Sequence, residues 1–193
     1  MTDHYMGNPN VKGDGVTQPW TEHDVREYAK CMQDPAYFAR TYVKIISLDK
    51  GLVNFNLYDY QEQMFKHFEN ERFSIVLACR QSGKSISSVV YLLWYAIFHP
   101  EKTIAVLANK GATAREMLSR VTLALENLPF FLQPGCRALN KGSIEFSNNS
   151  RILASATSGS SIRGMSVNLL FLDEFAFVER AAEFYTSTYP VIS

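Results

Sequence analysis

No apolar run in this sequence is long enough to cross a bilayer. The longest, "VVYLLWYAIF" at residues 89–98, stops at His99-Pro100, well short of the roughly 20 residues a spanning helix needs. The opening "MTDHYMGNPNVKGDGV" is polar and glycine-rich, with no apolar segment of signal-peptide type. Nor is there an excess of charge: 19 Lys and Arg balance 19 Asp and Glu, so no global field draws the chain to nucleic acid or membrane. The three cysteines, Cys31, Cys79 and Cys136, are odd in number and scattered. They form neither a disulfide framework nor a metal-ligand spacing, and suit a reducing compartment. The four histidines are equally dispersed, and internal repeats and low-complexity tracts are missing. What these absences leave is a soluble intracellular protein with no membrane partner, whose function must be sought in local features.

Apolar material is plentiful. At 47% hydrophobic and 13% aromatic residues, a chain of 193 residues can bury a proper core, as one domain or as one domain with an appendage. Residues 1–20 read as a flexible leader. Residues 21–56 read as a small helical segment: Thr21 and Asp24 have capping-box spacing, and Asp34-Pro35 opens a second helix with proline at its tolerated first position. "LVNFNLYDYQEQMFKHFEN" then gives an extended stretch followed by an amphipathic helix, with Tyr60, Met64 and Phe68 on one stripe.

From residue 73 the texture changes, and residues 57–193 read as one α/β domain. "FSIVLAC", "TIAVLA" (103–108) and "VNLLFLDEFAF" (167–177) are continuous apolar runs of the kind that form strands buried on both faces. A helix from about Gly83 to Phe98 follows the first, and one capped by Thr113 follows the second. "NKGSIEFSNNSRILASAT" reads as a hairpin turning near Asn148-Asn149. Strands alternating with helices predict a mainly parallel sheet flanked by helices.

Within this frame, Ala78-x4-Gly83-Lys84-Ser85 lies between a strand and a helix, the context of a phosphate-binding loop. Gly83 lets the backbone close round phosphates, whose charge is met by loop N–H groups and the helix N-terminus. Lys84 is placed to reach the β- and γ-phosphates, and the Ser85 hydroxyl to hold Mg2+. Alanine replaces the usual first glycine, the one that contributes least to phosphate contact. Downstream, Leu169–Leu172 leads into Asp173 and Glu174: an apolar strand ending in one acid for Mg2+ and a second that orients and deprotonates water. Such a pair argues for nucleotide hydrolysis rather than transfer to a metabolite.

Tyr60-Gln61 precedes the loop by about twenty residues. A glutamine amide carries the donor and acceptor needed to read an adenine edge, although the same residue suits the exposed face of an amphipathic helix. Arg80, inside the loop, and Arg163, in "SGSSIRGMS", are two candidates for stabilising charge on a transferring phosphoryl group. Lys110, Arg115, Arg120, Arg137, Lys141 and Arg151 outnumber Glu116, Glu126 and Glu145 between residues 110 and 151. They are either a phosphate-tracking surface or a solvated helix face.

Several segments together resemble the ATPase domain of a terminase large subunit, the DNA-packaging motor of tailed phages with contractile tails. They are "YDYQEQMF", "CRQSGKS", "TIAVLANKGATAREMLSR", the run "LPFFLQPGCRALNKGSIEFSNNSRILASATSGSSIRGMSVNLLFLDEFAFV", and "YPVIS". The resemblance implies a P-loop fold of the ASCE type, in which ATP hydrolysis drives double-stranded DNA into a procapsid through its portal. It implies ATP and Mg2+ as ligands, with Cys79, Arg80, Gln81, Ser82, Gly83, Lys84 and Ser85 around the phosphates. Ser85 and Asp173 would serve the metal, and Glu174 would be the catalytic carboxylate. Gln61, with Tyr60, becomes the adenine reader. Arg80 matches a finger acting in cis and Arg163 one acting in trans.

Further implications are the portal protein and small terminase subunit as partners, a ring-forming homo-oligomer, and residence in the host cytoplasm and transiently at the portal, not in the mature virion. Large terminases continue through a coupling motif and an RNase H-like nuclease, whereas this sequence stops at "YPVIS". The expectation is a truncated or interrupted gene product without nuclease activity, with an apolar sheet edge and a separate C-terminal polypeptide as partner. A helicase-like ATPase, or a nucleotide-binding fragment inactive alone, are the alternatives.

Overall fold

Local capping chemistry sets the first helices. Thr21 Oγ1 accepts from the Asp24 N–H at 3.1 Å while Asp24 Oδ2 accepts from the Thr21 N–H at 3.0 Å, so the predicted capping box starts α1 (Glu22–Gln33). Asp34 Oδ1 caps α2 (Pro35–Tyr42) through the Ala36 and Tyr37 N–H groups. The computed structural model describes residues 3–47, 49–157 and 164–192.

Before α1 lies a hairpin of β1 (His4–Tyr5) and β2 (Asn8–Lys12), and after α2 a second of β3 (Lys44–Ser47) and β4 (Gly51–Asn54). Then come α3 (Asp59–Asn70), α4 (Lys84–Phe98), β5 (Thr103–Ala108), α5 (Gly111–Glu126), β6 (Cys136–Leu139), β7 (Ser143–Phe146), β8 (Arg151–Ala156), β9 (Leu169–Asp173) and α6 (Ala181–Thr188). Among the described residues the main sheet runs β6-β7-β8-β5-β9.

The sheet is mixed rather than mainly parallel. β5 is parallel to both β8 and β9, but β6–β7 and β7–β8 are antiparallel. The 136–156 stretch is the cause: it reverses between β6 and β7 at residues 140–142 and again at Asn148-Asn149, with Asn149 at φ +64°.

β5 is the buried centre, and its two faces feed two cores. Ile104 and Val106 join the large core built on α4 and α5, while Ala105 and Leu107 join a smaller one with Val167, Val178 and Phe184. α4 is apolar all round and buried from Ser87 to Phe98 apart from half-buried Tyr95, as a helix enclosed on every side must be. Its Trp94 Nε1–H donates to the Cys31 carbonyl at 2.7 Å, locking it to α1.

Three expectations fail here. Residues 3–13 are not a free leader: Val11 is fully buried, the Lys12 N–H donates to Gln133 Oε1 at 3.0 Å, and Gly13 bridges to Cys136. The 21–56 segment is not purely helical, since it ends in the β3–β4 hairpin. Most consequentially, "FSIVLAC" forms no strand: residues 74–79 run without regular structure, with Ile75 87% and Leu77 93% exposed. Apolar composition signals that a segment is suited to burial, but a neighbouring strand must also pair with it, and among the described residues none does. Two details also shift. α5 begins at Gly111 rather than Thr113, and the buried stripe of α3 is Gln61, Met64 and Phe65.

Candidate nucleotide site

The residues singled out at 79–85 form the turn into α4. Gln81 (φ +61°) and Gly83 (φ +77°) both take left-handed backbone, which curls the chain tightly enough to aim the free N–H groups of the first helical turn outward. Ser82 Oγ donates to the Cys79 carbonyl at 2.9 Å and closes the turn from inside. Lys84 and Ser85 open α4 and are half-buried, while Cys79, Arg80 and Gln81 are exposed. Among the described residues no ion pair involves Arg80.

α3 braces this turn from one side. The Tyr60 hydroxyl donates to the Ser82 carbonyl, and its ring stacks on Tyr58 with centroids 5.7 Å apart and planes 10° from parallel. Gln61 is 2% exposed, which removes the surface-glutamine reading. Its Oε1 accepts from the Tyr58 N–H at 2.9 Å, so the amide is oriented, with Nε2 directed at Gly83. A Cβ built on Gly83 would lie 2.6 Å from that nitrogen.

Beside Gln61 and the turn opens a cleft of about 890 Å³, whose far wall is the β3–β4 hairpin with Lys44, Lys50, Asn54 and Asn56. Sequence reasoning missed this wall. Nothing in the pattern of residues 44–56 connects it to a loop some thirty residues later.

The acids arrive from β9. Asp173 is paired in register with Ala108 of β5 at the carboxyl end of the parallel strands, where open α/β sheets present their ligand sites. It is 7% exposed. Burial, and secondarily the charge of Glu174, push its carboxyl above the ordinary range, while Lys84 pulls the other way. Glu174 follows in left-handed backbone (φ +51°) and is exposed. The structure therefore brings Gln61, the 79–85 turn and Asp173-Glu174 to one region. Arg163 lies outside the described residues.

A buried carboxylate next to a second one, with a lysine as its chief cationic neighbour, is a donor set that a hard divalent cation would relieve. Asp173 is one donor of that kind.

Much of the 110–151 basic stretch is occupied. Arg120 pairs with Glu116 at 2.6 Å. Arg137 contacts Asp14, Asn149 and the Ser147 carbonyl. Arg151 donates to Thr103 and stands opposite Glu145 across the β7–β8 ladder. Local pairing thus accounts for these three arginines.

A family model described as terminase large subunit, T4likevirus-type, N-terminal, matches residues 75–193. The chain belongs to the terminase large subunit family. This terminase chain also resembles a solved structure, that of the HK97 bacteriophage large terminase. The TM-score is 0.66 and the identity 15%, over 84% of this chain and 36% of that one. At that identity the likeness is one of fold. It joins the mixed sheet and its helices to a known phage large terminase, of whose length this chain spans 36%. Among the described residues no helix is long and apolar enough to cross a membrane.

Proposed function

We propose that this terminase chain is the ATP-binding and ATP-hydrolysing P-loop segment, of the ASCE type, of a motor that packages double-stranded DNA into a procapsid. The observation that carries the reading is the meeting of the 79–85 turn, at the N-terminus of α4, with Asp173 at the end of β9, next to a cleft of about 890 Å³. Phosphates would lie over the turn, held by its N–H groups and by Lys84. The nucleoside would lie in the cleft, where Gln61 Nε2 and the ring of Tyr58 are available to it.

Ser85 and Asp173 would hold Mg2+, which draws charge from the β- and γ-phosphates when bound. Glu174 accepts the proton of a water whose oxygen bonds to the γ-phosphorus as the bond to the β–γ bridging oxygen breaks, giving ADP and phosphate. Arg80 in cis or Arg163 in trans would offset the charge gathered on the transferring group. In the whole motor, the portal, the small subunit and sister copies in a ring would be its partners.

The test is equilibrium binding of a non-hydrolysable ATP analogue to the chain and to Lys84→Ala. Loss of a phosphate-reaching lysine should weaken binding by about tenfold or more; equal affinities overturn the site. A second reading, binding without turnover, is favoured by the exposed approach of residues 74–79 to the turn, because a loop hung on an unpaired segment is poorly fixed for catalysis.

A further inference from the structure

One peptide at the entrance to α4 is not held by the helix. The Gly83 carbonyl accepts from the Ser87 N–H and the Ser87 hydroxyl, each at 3.0 Å, so the peptide joining Gly83 to Lys84 is fixed by the first helical turn. The peptide before it joins Ser82 to Gly83, and among the described residues its N–H has no backbone acceptor. Glycine takes either sign of φ at little cost, so at Gly83 this peptide can turn over and exchange the directions of its carbonyl and its N–H. Only one of the two orientations offers the N–H to a phosphate.

Tyr60 selects between them. Its hydroxyl donates to the Ser82 carbonyl, which belongs to this very peptide. The bond is trans, as all are among the described residues, and a planar trans peptide carries its C=O and N–H on opposite sides. A carbonyl drawn to the Tyr60 hydroxyl therefore turns the Gly83 N–H away from it. The ring that carries the hydroxyl is itself placed beforehand. It is stacked on Tyr58, on a helix seated in the core through Met64 and Phe65. Ser82 is gripped from the other direction as well, since its own hydroxyl donates to the Cys79 carbonyl at 2.9 Å.

We infer that Tyr60 is a positioning residue for the phosphates: acting through the Ser82 carbonyl, it sets the Ser82–Gly83 peptide so that the Gly83 N–H is presented to the anion. The inference rests on the reading of residues 79–85 as the phosphate site. It separates Tyr60 from its neighbour Gln61: the first serves the phosphates through the backbone, and only the second has an amide to offer a base. Ordering this peptide before the ligand arrives spares the ligand that cost on binding. The effect therefore belongs to any polyphosphate, with or without a nucleoside.

The test compares the full chain with Tyr60→Phe, which removes the hydroxyl and keeps the ring. The probes are inorganic tripolyphosphate and a non-hydrolysable ATP analogue, each with Mg2+. Both should bind about fivefold to tenfold more weakly to Tyr60→Phe, by the same factor, as for the loss of one hydrogen bond. Without any ligand, backbone 15N order parameters at Ser82 and Gly83 should fall in Tyr60→Phe from about 0.85 towards about 0.6, while those of β5 stay unchanged. Weakening of the ATP analogue alone overturns the inference and assigns Tyr60 to the base. Equal affinities in the two proteins overturn it, as do unchanged order parameters at residues 82–83 or an equal loss of order in β5, which marks a general structural role. Failure of the unchanged chain to bind either probe is a different result: it sinks the phosphate site itself, and the role of Tyr60 with it.

Discussion

The Nε2 of Gln61 stands where a side chain on Gly83 would begin, 2.6 Å from the place of a Cβ. Gly83 also holds φ +77°, a conformation that costs an L-residue about 1 kcal/mol or more. Gly83→Ala should therefore weaken binding of an ATP analogue by at least about tenfold. Pairing it with Gln61→Ala removes the clash but not the backbone strain, so the double variant should recover only part of the loss. Full recovery in equilibrium titrations would show that Gly83 is needed for space alone.

Asp173 should carry the metal dependence. Its carboxyl is buried and pushed upward by burial and Glu174, a state that a bound cation relieves. In the unchanged chain, added Mg2+ should tighten analogue binding. In Asp173→Asn that increment should vanish while the Mg2+-independent affinity is largely kept. Mg2+ titrations of both proteins decide it; an equal increment in both removes Asp173 from the metal site.

Stability should respond to acid through Glu27. Its carboxylate accepts from Lys30 Nζ at 2.8 Å, the Tyr37 hydroxyl at 2.7 Å and the Tyr42 hydroxyl at 2.8 Å, which together lower its pKa from the ordinary 4.5 to about 2. Between those values the unfolded chain binds more protons than the folded one, so stability rises with pH across that window. The contribution is fully present above about 4.5 and is lost as pH falls through about 2. Asp24 and Glu62 are shifted the same way, so Glu27→Gln should flatten the acid limb of a denaturation series without abolishing it.

These sites were legible to different degrees, for physical reasons. β5 could be read because "TIAVLA" is buried by neighbours on both edges, and the loop because Gly83-Lys84-Ser85 sits where one short turn must do several things. "FSIVLAC" carries the same apolar signal as "TIAVLA", but no periodicity tells whether a pairing strand is there. Gln61 was ambiguous because burial depends on what packs over α3, not on α3 itself. The hairpin β1–β2 was illegible because its seat, Gln133, is more than a hundred residues away, and its polar sequence resembles that of an unanchored terminus.

Gln133 ties that seat together. Its Oε1 accepts from the Lys12 N–H at 3.0 Å, and its Nε2 donates to the carbonyls of Asn10 (3.0 Å), Leu125 (3.0 Å) and Leu128 (2.7 Å). Gln133→Ala leaves these buried backbone groups without a partner and should destabilise by about 2–4 kcal/mol, read from the midpoint of urea unfolding. Deleting residues 1–13 should cost stability as well, since Val11 leaves the core. A deletion with an unchanged midpoint would return this segment to the role of a leader.

The two arginines make opposite demands on a mixed assembly. Arg80 is exposed in the turn, where it can serve only the phosphates held by its own chain unless the turn itself is shared. A finger acting in trans, by contrast, can be lost from one subunit and supplied by its neighbour. Mixing Arg163→Ala subunits with Glu174→Ala subunits should therefore restore part of the ATPase rate if Arg163 reaches across, because some interfaces then combine an intact carboxylate with an intact finger. Arg80→Ala cannot be rescued by such mixing, since the defective turn and the nucleotide it serves stay on one chain. Hydrolysis measured across mixing ratios separates the two. A rate that rises above both parents selects Arg163, and a flat profile together with an inactive Arg80→Ala protein selects Arg80.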